Sequence, residues 1–360
     1  MVSIIIPVYQ VSEYVERCIR SVMAQSYQDI ECVIVDDCGE DDSIEKCERL
    51  IKEYNDNVNL LETAVAEQAT IGRADHNLDH NLDGKGRIRF KILHHEMNRG
   101  LSAARNTGTD ASQGDYIYYL DSDDELTSDC IEVLMKAAQM DETIEMVQGN
   151  SVTKGQGNDK EAYWDERSVH LKNNDEVREW YYKRRTLKVS VWNKLLKREF
   201  VIGCNLLCKE GVLFEDLLWS FYLMKKLNNA VLCKEVTHYY YIRPQSITTG
   251  IDKKKQAENY SIVYKDILHN LTSGKEIDEI RGYLYIFCKT YMECVKSFPE
   301  FRETLDLYIS RARFYGCRYE CIVLSIIAMI SKFGNPLFIF EPMNNLRWKV
   351  KRLFKNESNT

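Results

Sequence analysis

Short, continuous apolar runs recur along the first 120 positions of the chain. Residues 2–8 are almost entirely apolar and rich in β-branched side chains, which is typical of a strand covered on both faces. Similar runs predict further strands at 30–35, 90–94 and 116–120. Polar residues follow each run, so the strands are expected to end near these positions.

Segments with helical spacing separate these runs. The apolar positions of residues 14–23 follow a helical period behind Ser12, which we expect to cap the helix. A second helix is predicted from Asp42-Ser43 onward and a third over 101–111, which is rich in small residues. The alternation of strand and helix predicts an α/β fold with a mostly parallel sheet flanked by helices.

The pattern changes twice later in the chain. Residues 62–89 are polar and aperiodic, which predicts a flexible insertion between the second helix and the third strand. From about residue 252 the spacing becomes helical, so we expect a first domain over 1–250 and a helical C-terminal region over 251–360. The apolar run at 322–330 is shorter than the roughly 20 residues that a membrane-spanning helix needs.

Composition narrows the function classes. The 360 residues are 44% hydrophobic and 29% charged, which indicates a globular protein of about two domains rather than a disordered or collagenous chain. The 48 basic and 55 acidic residues give a net charge of −7, which disfavours nucleic acid as a partner. The segment 347–355 is basic with interleaved apolar residues; it suits an anionic membrane surface, or else a helix packed on the protein.

The twelve cysteines include no Cys-x-x-Cys pair, which disfavours a structural zinc site. Several of them replace apolar residues in periodic segments, as reduced and buried thiols do. The sequence opens directly into the first strand without a leader pattern, so we expect a reducing, cytoplasmic location, either free or in peripheral contact with the inner face of the cell membrane.

Candidate chemistry lies at the strand ends, because ligands of such sheets bind outside the carboxyl ends of the strands. No glycine follows the first strand, which argues against a dinucleotide-binding fingerprint and a P-loop. Asp36 and Asp37 follow the second strand, and the run 121–124 (Asp-Ser-Asp-Asp) follows the fourth. Carboxylates at two strand ends, with arginines between them in sequence, suit a metal-bound diphosphate better than a bare anion.

The motifs at 2–9, 34–37, 98–106 and 121–124 together resemble those of bacterial glycosyltransferase family 2 proteins with a Rossmann-like GT-A fold. The resemblance covers roughly residues 1–60 and 90–250 and continues in the segments 191–195, 214–218 and 240–248. It implies an inverting transferase that moves a sugar from a nucleotide donor, expected to be a UDP-sugar, to a glycan or a lipid-linked acceptor in cell-surface polysaccharide synthesis. It also implies a nucleotide-sugar half (1–125) and an acceptor half (126–250).

The resemblance assigns a divalent cation, Mn²⁺ or Mg²⁺, to the carboxylates after the fourth strand. Asp123 is the expected direct ligand, with Asp121 nearer the ribose. Negative charge grows on a departing diphosphate, so a cation held by carboxylates is the natural stabiliser. The alternative interpretation of this run is an Asx turn with solvated carboxylates.

The base and diphosphate of the donor are assigned to other strand ends. Asp37, with Asp36 adjacent, is expected to accept the imide hydrogen of uracil, or else to cap the following helix. Pro7 and Tyr9 are expected to shape the base pocket. Arg99 and Arg105 are expected to screen the charge of the diphosphate, and an ordinary surface position is the alternative interpretation for each of them. The remaining candidates for donor contact are Asn98, Arg99, Gly100, Arg105 and Ser122.

Asp216 is the candidate base that takes the proton of the acceptor hydroxyl, and Glu215 is an alternative base or an orienting group. A helix-capping role is the competing interpretation for Asp216. Trp192 is expected either to stack on a sugar ring or to pack, and Arg243 to contact the diphosphate. A lone histidine such as His238 is more often packed than metal-bound.

Two other functions compete with sugar transfer. A nucleotidyltransferase also uses a carboxylate-held metal after a parallel strand, but it would more often have a glycine- and arginine-rich first loop. A catalytically inactive, membrane-attached scaffold that binds glycan or nucleotide is the other alternative; the acidic residues 121, 123 and 216 argue against it.

Overall fold

A computed structural model describes residues 1–70, 87–155, 167–243, 252–277, 279–280 and 299–317. The chain divides into two compact units: Met1–Gly211 with Glu215–Pro244, and Val212–Phe214 with Gln245–Thr360. The apolar run at 322–330 and the basic segment at 347–355 lie outside the described residues.

The first unit alternates strands and helices along most of its length. Its strands are β1 (Val2–Val8), β2 (Ile30–Asp36), β3 (Arg89–His94), β4 (Tyr116–Tyr119), β5 (Glu125–Leu126), β6 (Met146–Lys154), β7 (Val169–Leu171), β8 (Lys194–Lys197) and β9 (Ala230–Tyr241). Its helices are α1 (Val15–Met23), α2 (Ser43–Thr70), α3 (Leu101–Ala111), α4 (Cys130–Ala138), α5 (Asn174–Arg178, continued by a π-helix over Glu179–Arg184), α6 (Arg198–Gly203) and α7 (Glu215–Lys226).

All nine strands form one sheet, in the order β3-β2-β1-β4-β8-β6-β9-β5, with β7 paired to β9. The strands β3, β2, β1 and β4 are parallel, which confirms the predicted α/β fold and the four strands predicted from the sequence. Beyond β4 the sheet becomes mixed, because β8 runs antiparallel to both β4 and β6 while β6 and β9 are parallel. The parallel register sets the carboxyl end of β1 beside that of β2, with Val8 opposite Asp36.

The core explains why these residues form these elements. Every residue of β1 is buried, as expected for a strand covered on both faces. One face of α1 packs into the same apolar cluster through Cys18, Ile19 and Val22. All nine described cysteines are free thiols and six are buried, which confirms that they serve mainly as small packing residues.

Two helix boundaries differ from the sequence-based expectation. α1 begins at Val15 with Tyr14 at its N-cap position, so Ser12 is not the cap; its hydroxyl donates to the carboxylate of Asp42 instead. α2 continues to Thr70, so residues 62–70 are helical and the predicted insertion over 62–89 began too early. Polar helices lack the apolar period that a sequence-based boundary depends on. Residues 71–86 lie outside the described part of the chain.

The second unit is helical where it is described, as the spacing after residue 252 predicted. It contains α8 (Lys253–His269), capped by Asp252, and α9 (Pro299–Phe314). The hydroxyls of Ser261 and Thr304, 2.8 Å apart, form a buried hydrogen bond between these two helices. Across the described residues, no helix is both long enough and apolar enough to cross a bilayer.

Candidate active site

The candidate site begins where β1 and β2 end side by side. Pro7 is buried within β1 opposite Val35, whereas Tyr9, just beyond the strand, is 43% exposed. Tyr9 therefore presents its ring at the surface next to the end of β2. A contact of either residue with a nucleotide base stays a prediction.

Asp37 joins the end of β2 to the segment that follows β3. Its Oδ1 accepts a hydrogen bond from the backbone N of Arg99 (2.8 Å), and its Oδ2 accepts one from the backbone N of Gly100 (2.7 Å). The Nδ1 of His95 lies 2.7 Å from Oδ1, and its Nε2 lies 2.9 Å from the hydroxyl of Thr107. Asp37 is only 2% exposed, so its carboxylate anchors the loop before α3. The proposed bond to uracil stays a prediction.

Asp36 organises the turn after β2. Its Oδ1 accepts hydrogen bonds from the backbone N of Cys38 (3.0 Å) and of Gly39 (3.4 Å), and its Oδ2 lies 3.0 Å from the Nδ1 of His94. These bonds hold the turn itself, and Asp36 does not cap α2, which begins at Ser43.

The loop 98–100 is shaped by its backbone. Gly100 precedes α3 with φ = 88° and ψ = 163°, a conformation open essentially only to glycine. The Nδ2 of Asn98 donates to the carbonyl of Asp37 (3.3 Å). The guanidinium of Arg99 turns to Glu210 instead, with an Nη2–Oε2 distance of 3.3 Å, in an ion pair whose side chains are both nearly half exposed.

Arg105 is the centre of the site. It is only 3% exposed; its Nη2 donates to Oδ1 of Asp121 (2.7 Å) and its Nη1 to Oε1 of Glu215 (2.6 Å). α3 lies close enough to the sheet for this because Gly108 packs directly on Ile5, where a Cβ would come within 2.3 Å of a methyl carbon. The two carboxylates hold the pKa of Arg105 above its usual value despite burial. Arg105 thus connects the end of β4 to the start of α7.

Glu215 and Asp216 are the first two residues of α7. Glu215 is buried and its Oε1 accepts the bond from Arg105, and its orienting role toward Asp216 stays a prediction. Asp216 is half-buried, and its Oδ1 accepts the backbone N of Leu217 (2.8 Å), so it also satisfies a helix N-terminal donor. Burial, then Glu215, raises the pKa of Asp216 to about 7, while Arg105 opposes that rise. The charge of Asp121 also raises this pKa, so the two groups share one electrostatic cluster.

The two remaining acids after β4 have different surroundings. Asp123 is partly exposed and its Oδ2 accepts from Nε of Arg243 (2.5 Å); burial, then Asp121, raises its pKa. Asp124 is fully buried, 2.9 Å from Nε2 of His238, and burial raises its pKa to about 6. Asp124 therefore fixes the turn to β9, while Asp123 and Asp121 face arginine side chains. Ser122 between them is buried.

A divalent cation fits the chemistry of Asp121 and Asp123. Each accepts one arginine bond through one oxygen, and an ionised carboxylate has about four lone-pair sites, so acceptor capacity remains. Magnesium is usually bound by one or two carboxylates together with substrate phosphates. In the described ranges, no group of three or more His, Cys, Asp or Glu side chains is arranged to hold a metal.

Trp192 and His238 pack against each other at the edge of the site. The Trp192 ring, half-buried, stacks on His238 (4.5 Å between centroids) and on Tyr240 (5.4 Å). His238 is fully buried, and its Nδ1 lies 3.2 Å from the hydroxyl of Tyr118. The packed interpretation of His238 is confirmed. Trp192 packs on two aromatic rings, and a stacking contact of Trp192 with a sugar stays a prediction.

Sequence reasoning missed three groups at this site. Arg17 donates to the carbonyl of Asp123 (2.6 Å) and lies 3.5 Å from the centroid of the Tyr241 ring. His95 supports Asp37, and Lys194 is completely buried in β8. A lysine among the apolar residues of a short strand was the available signal for Lys194, but nothing nearby in sequence marked the other two.

Comparisons with known proteins agree with this fold. The family model "Glycosyl transferase family 2" matches residues 3–72 and 79–207. The uncharacterized glycosyltransferase EpsJ of Bacillus subtilis is 28% identical over 261 residues, which are 69% of this chain but only 63% of EpsJ, so the chain matches less than two thirds of that relative. The structure of S. aureus TarS 1–349 in complex with UDP-GlcNAc superimposes with a TM-score of 0.59 at 14% identity, covering 86% of this chain and 81% of TarS 1–349. The mannosyltransferase PcManGT of Pyrobaculum calidifontis, in complex with GDP-Man and Mn²⁺, gives a TM-score of 0.50 at 12% identity, covering 98% and 87%.

These two structures show the fold alone, which is the mostly parallel sheet flanked by helices that the strand pattern predicted. The family match covers more than half of the chain. Together with the strand-end carboxylates in their expected order, it establishes that the chain belongs to glycosyltransferase family 2.

Proposed function

We propose that the protein transfers a sugar, with inversion, from a nucleoside diphosphate donor, a UDP-sugar, to a glycan or lipid-linked acceptor in polysaccharide synthesis. One observation carries the proposal: buried Arg105 bonds both Asp121, after β4, and Glu215, beside Asp216 in α7. Groups suited to the leaving diphosphate and a group suited to accept a proton are thereby part of one cluster. Family membership supports the reaction class.

On the donor side, Asp121 and Asp123 would hold Mn²⁺ or Mg²⁺ together with the diphosphate. The cation supplies positive charge that stabilises the leaving group as its bond to the sugar breaks. Arg243 donates a hydrogen bond to Asp123, and both side chains are partly exposed. The guanidinium of Arg243 can therefore rotate from Asp123 to a bound phosphate. Asp37 acts here by fixing the loop 98–100 beside the donor, and the ring of Tyr9 offers a surface for the base.

On the acceptor side, Asp216 would take the proton from the attacking hydroxyl. Its raised pKa makes it a stronger base than a solvated carboxylate and places its titration near neutral pH. Glu215 cannot serve equally well, because its carboxylate is held against the permanent charge of Arg105. Trp192 is only half-buried, and a sugar would stack on its ring.

A donor screen tests the proposal directly. The protein would be incubated with Mn²⁺ and individual UDP-sugars, and in parallel with nucleoside triphosphates and sugar phosphates, and the products identified by chromatography. Release of UDP with free or transferred sugar from one donor supports the proposal. Release of pyrophosphate from a nucleoside triphosphate would indicate a nucleotidyltransferase instead, and silence across all donors would indicate an inactive binding scaffold.

We also propose that the basic segment 347–355 attaches the protein peripherally to an anionic membrane. Its Lys and Arg residues alternate with apolar ones, which is the composition of interfacial segments. Sedimentation with vesicles containing phosphatidylserine tests this: truncation after residue 315 should release the protein into the supernatant. Equal partitioning of the full and truncated chains would refute the proposal.

A further inference from the structure

Lys194 is the least solvated cation of the site. It lies in β8 and is 0% exposed, although lysine is almost never fully buried unless it is paired. Its Nζ donates to the backbone carbonyl of Ser190, so it folds back along the segment that leads into β8. One carbonyl is a weak partner for an ammonium group with three N–H donors. A second source of stabilisation is therefore expected close to its Nζ.

The segment that accepts the bond from Lys194 contacts α7 one residue earlier. The hydroxyl of Ser220, which is itself fully buried, donates to the carbonyl of Val189, the residue before Ser190. Ser220 lies four residues after Asp216 and so on the same face of the helix. The carbonyl of Ser190, which accepts the bond from Lys194, is thus one residue away from a contact with the face of α7 that carries Asp216.

The charges agree with that placement. Burial lowers the pKa of Lys194 to about 7, and the carboxylate of Asp216 opposes this fall while Lys188 adds to it. Asp216 in turn faces Glu215 on its own helix, Arg105 from α3 and Asp121 after β4. Because the interaction between two charges is mutual, an ammonium that Asp216 stabilises also stabilises the ionised form of Asp216.

We propose that Lys194 is a positioning residue for the transfer reaction, whose buried ammonium keeps the Asp216 carboxylate ionised and ready to accept the acceptor proton. This inference rests on the proposed function of Asp216 as the base. Lys194 itself touches neither donor nor acceptor in this assignment. Its charge acts through Asp216, against burial and the neighbouring carboxylates, which favour the protonated form.

The test is the pH profile of kcat/KM for Lys194→Met, measured with the donor that the screen identifies. Methionine fills a similar volume, and replacing a buried charge by an apolar side chain is often tolerated. Without the ammonium, the acidic limb should move to higher pH by about one unit, with about a fivefold loss at pH 7, about a tenfold loss well below it and recovery at alkaline pH. Lys194→Arg retains the charge and should retain the wild-type limb, even if its kcat falls.

Lys197→Met is the matched control, because Lys197 lies on the same strand but reaches the surface beside Glu199 (3.7 Å). Its profile should match the wild type. An equal loss at every pH in both Lys194 variants, or an unmoved limb in Lys194→Met, would overturn the inference while leaving the proposed function intact. A wild-type protein that transfers no sugar, or an Asp216→Asn variant that stays active, would instead overturn the proposed function and this inference with it.

Discussion

Two pairs of carboxylates follow two parallel strands of one sheet, yet they have different surroundings. After β2, Asp37 is buried and its oxygens accept two backbone N–H bonds and contact His95. After β4, Asp121 and Asp123 accept hydrogen bonds from the side chains of Arg105 and Arg243 instead. Burial, and then the charge of Asp121, raises the pKa of Asp123. In sequence, both pairs look like ligand-binding acids.

The difference lies in what each carboxylate would lose on binding a ligand. Backbone N–H groups cannot leave without moving the loop, so Asp37 is committed to holding residues 95–100 in place. Arginine side chains can rotate toward a phosphate, and a cation would relieve the repulsion between the two acids after β4. We therefore propose that the first pair mainly holds the loop, with the bond of Asp37 to uracil still a prediction, and that the second pair holds the cation, with Asp216 as the proposed base.

The largest effect is expected from Asp216→Asn, which removes the base but leaves both strand-end pairs unchanged. Transfer should fall by about 10²- to 10⁴-fold, because general base catalysis contributes a factor of that size. Steady-state transfer assays and calorimetric titration with UDP and Mn²⁺ provide the measurement. The exposed Asp110 on α3 offers a control substitution. Loss of UDP binding in Asp216→Asn would reassign the residue to structure.

Asp121→Asn and Asp123→Asn test the chemical pair. Each should weaken Mn²⁺-dependent UDP binding by at least about 10- to 100-fold, since changes close to a metal typically cost that much affinity. Asp37→Asn should keep the dependence on Mn²⁺. A loss of metal dependence in Asp37→Asn with retention in Asp123→Asn would reverse the two assignments.

The free energy of unfolding should show the reverse order: it should fall more in Asp37→Asn than in Asp123→Asn. Asp37→Asn weakens charge-assisted bonds to two backbone amides, so the free energy of unfolding should fall by about 2 kcal/mol and Tm by about 4–8 °C. Asp123→Asn removes a carboxylate whose ionised form is disfavoured, and should stay within about 0.5 kcal/mol of wild type. Urea titrations without metal would compare the two; a larger loss for Asp123→Asn would contradict the comparison.

The smallest effect is expected from Arg99→Ala. The guanidinium forms an exposed pair with Glu210, worth about 0–1 kcal/mol, while the bond from its backbone N to Asp37 survives the substitution. Stability and UDP affinity should both remain near wild type. More than a tenfold loss of UDP affinity, which is about 1.4 kcal/mol, would show that Arg99 turns to the diphosphate as its sequence position suggested.

Local pattern was sufficient for the first half of the fold. The bounds of β1 and α3 match the predicted ones because continuous apolar runs and small-residue spacing are local signals. The antiparallel strands β5, β7 and β8 are two to four residues long, too short to show a period. Their place in the sheet depends on partners far away in sequence.

The sequence predicted the acidic residues of the site but not the residues that form hydrogen bonds with them. The order of Asp37, Asp121 and Asp216 was visible as motifs, whereas the bond of Arg105 to Glu215 spans 110 residues. Hydrogen bonds and burial decide which acid is structural and which remains open to a ligand. Only the folded chain provides that information, as the buried Lys194 illustrates.

The most direct test of the account is a crystal structure of Asp216→Asn with an intact UDP-sugar and Mn²⁺. The account predicts the cation between Asp121, Asp123 and the diphosphate, with the side chain at position 216 facing the anomeric carbon from the side opposite the leaving group. A donor bound with its diphosphate away from β4, or a cation held by Asp36 and Asp37, would contradict it.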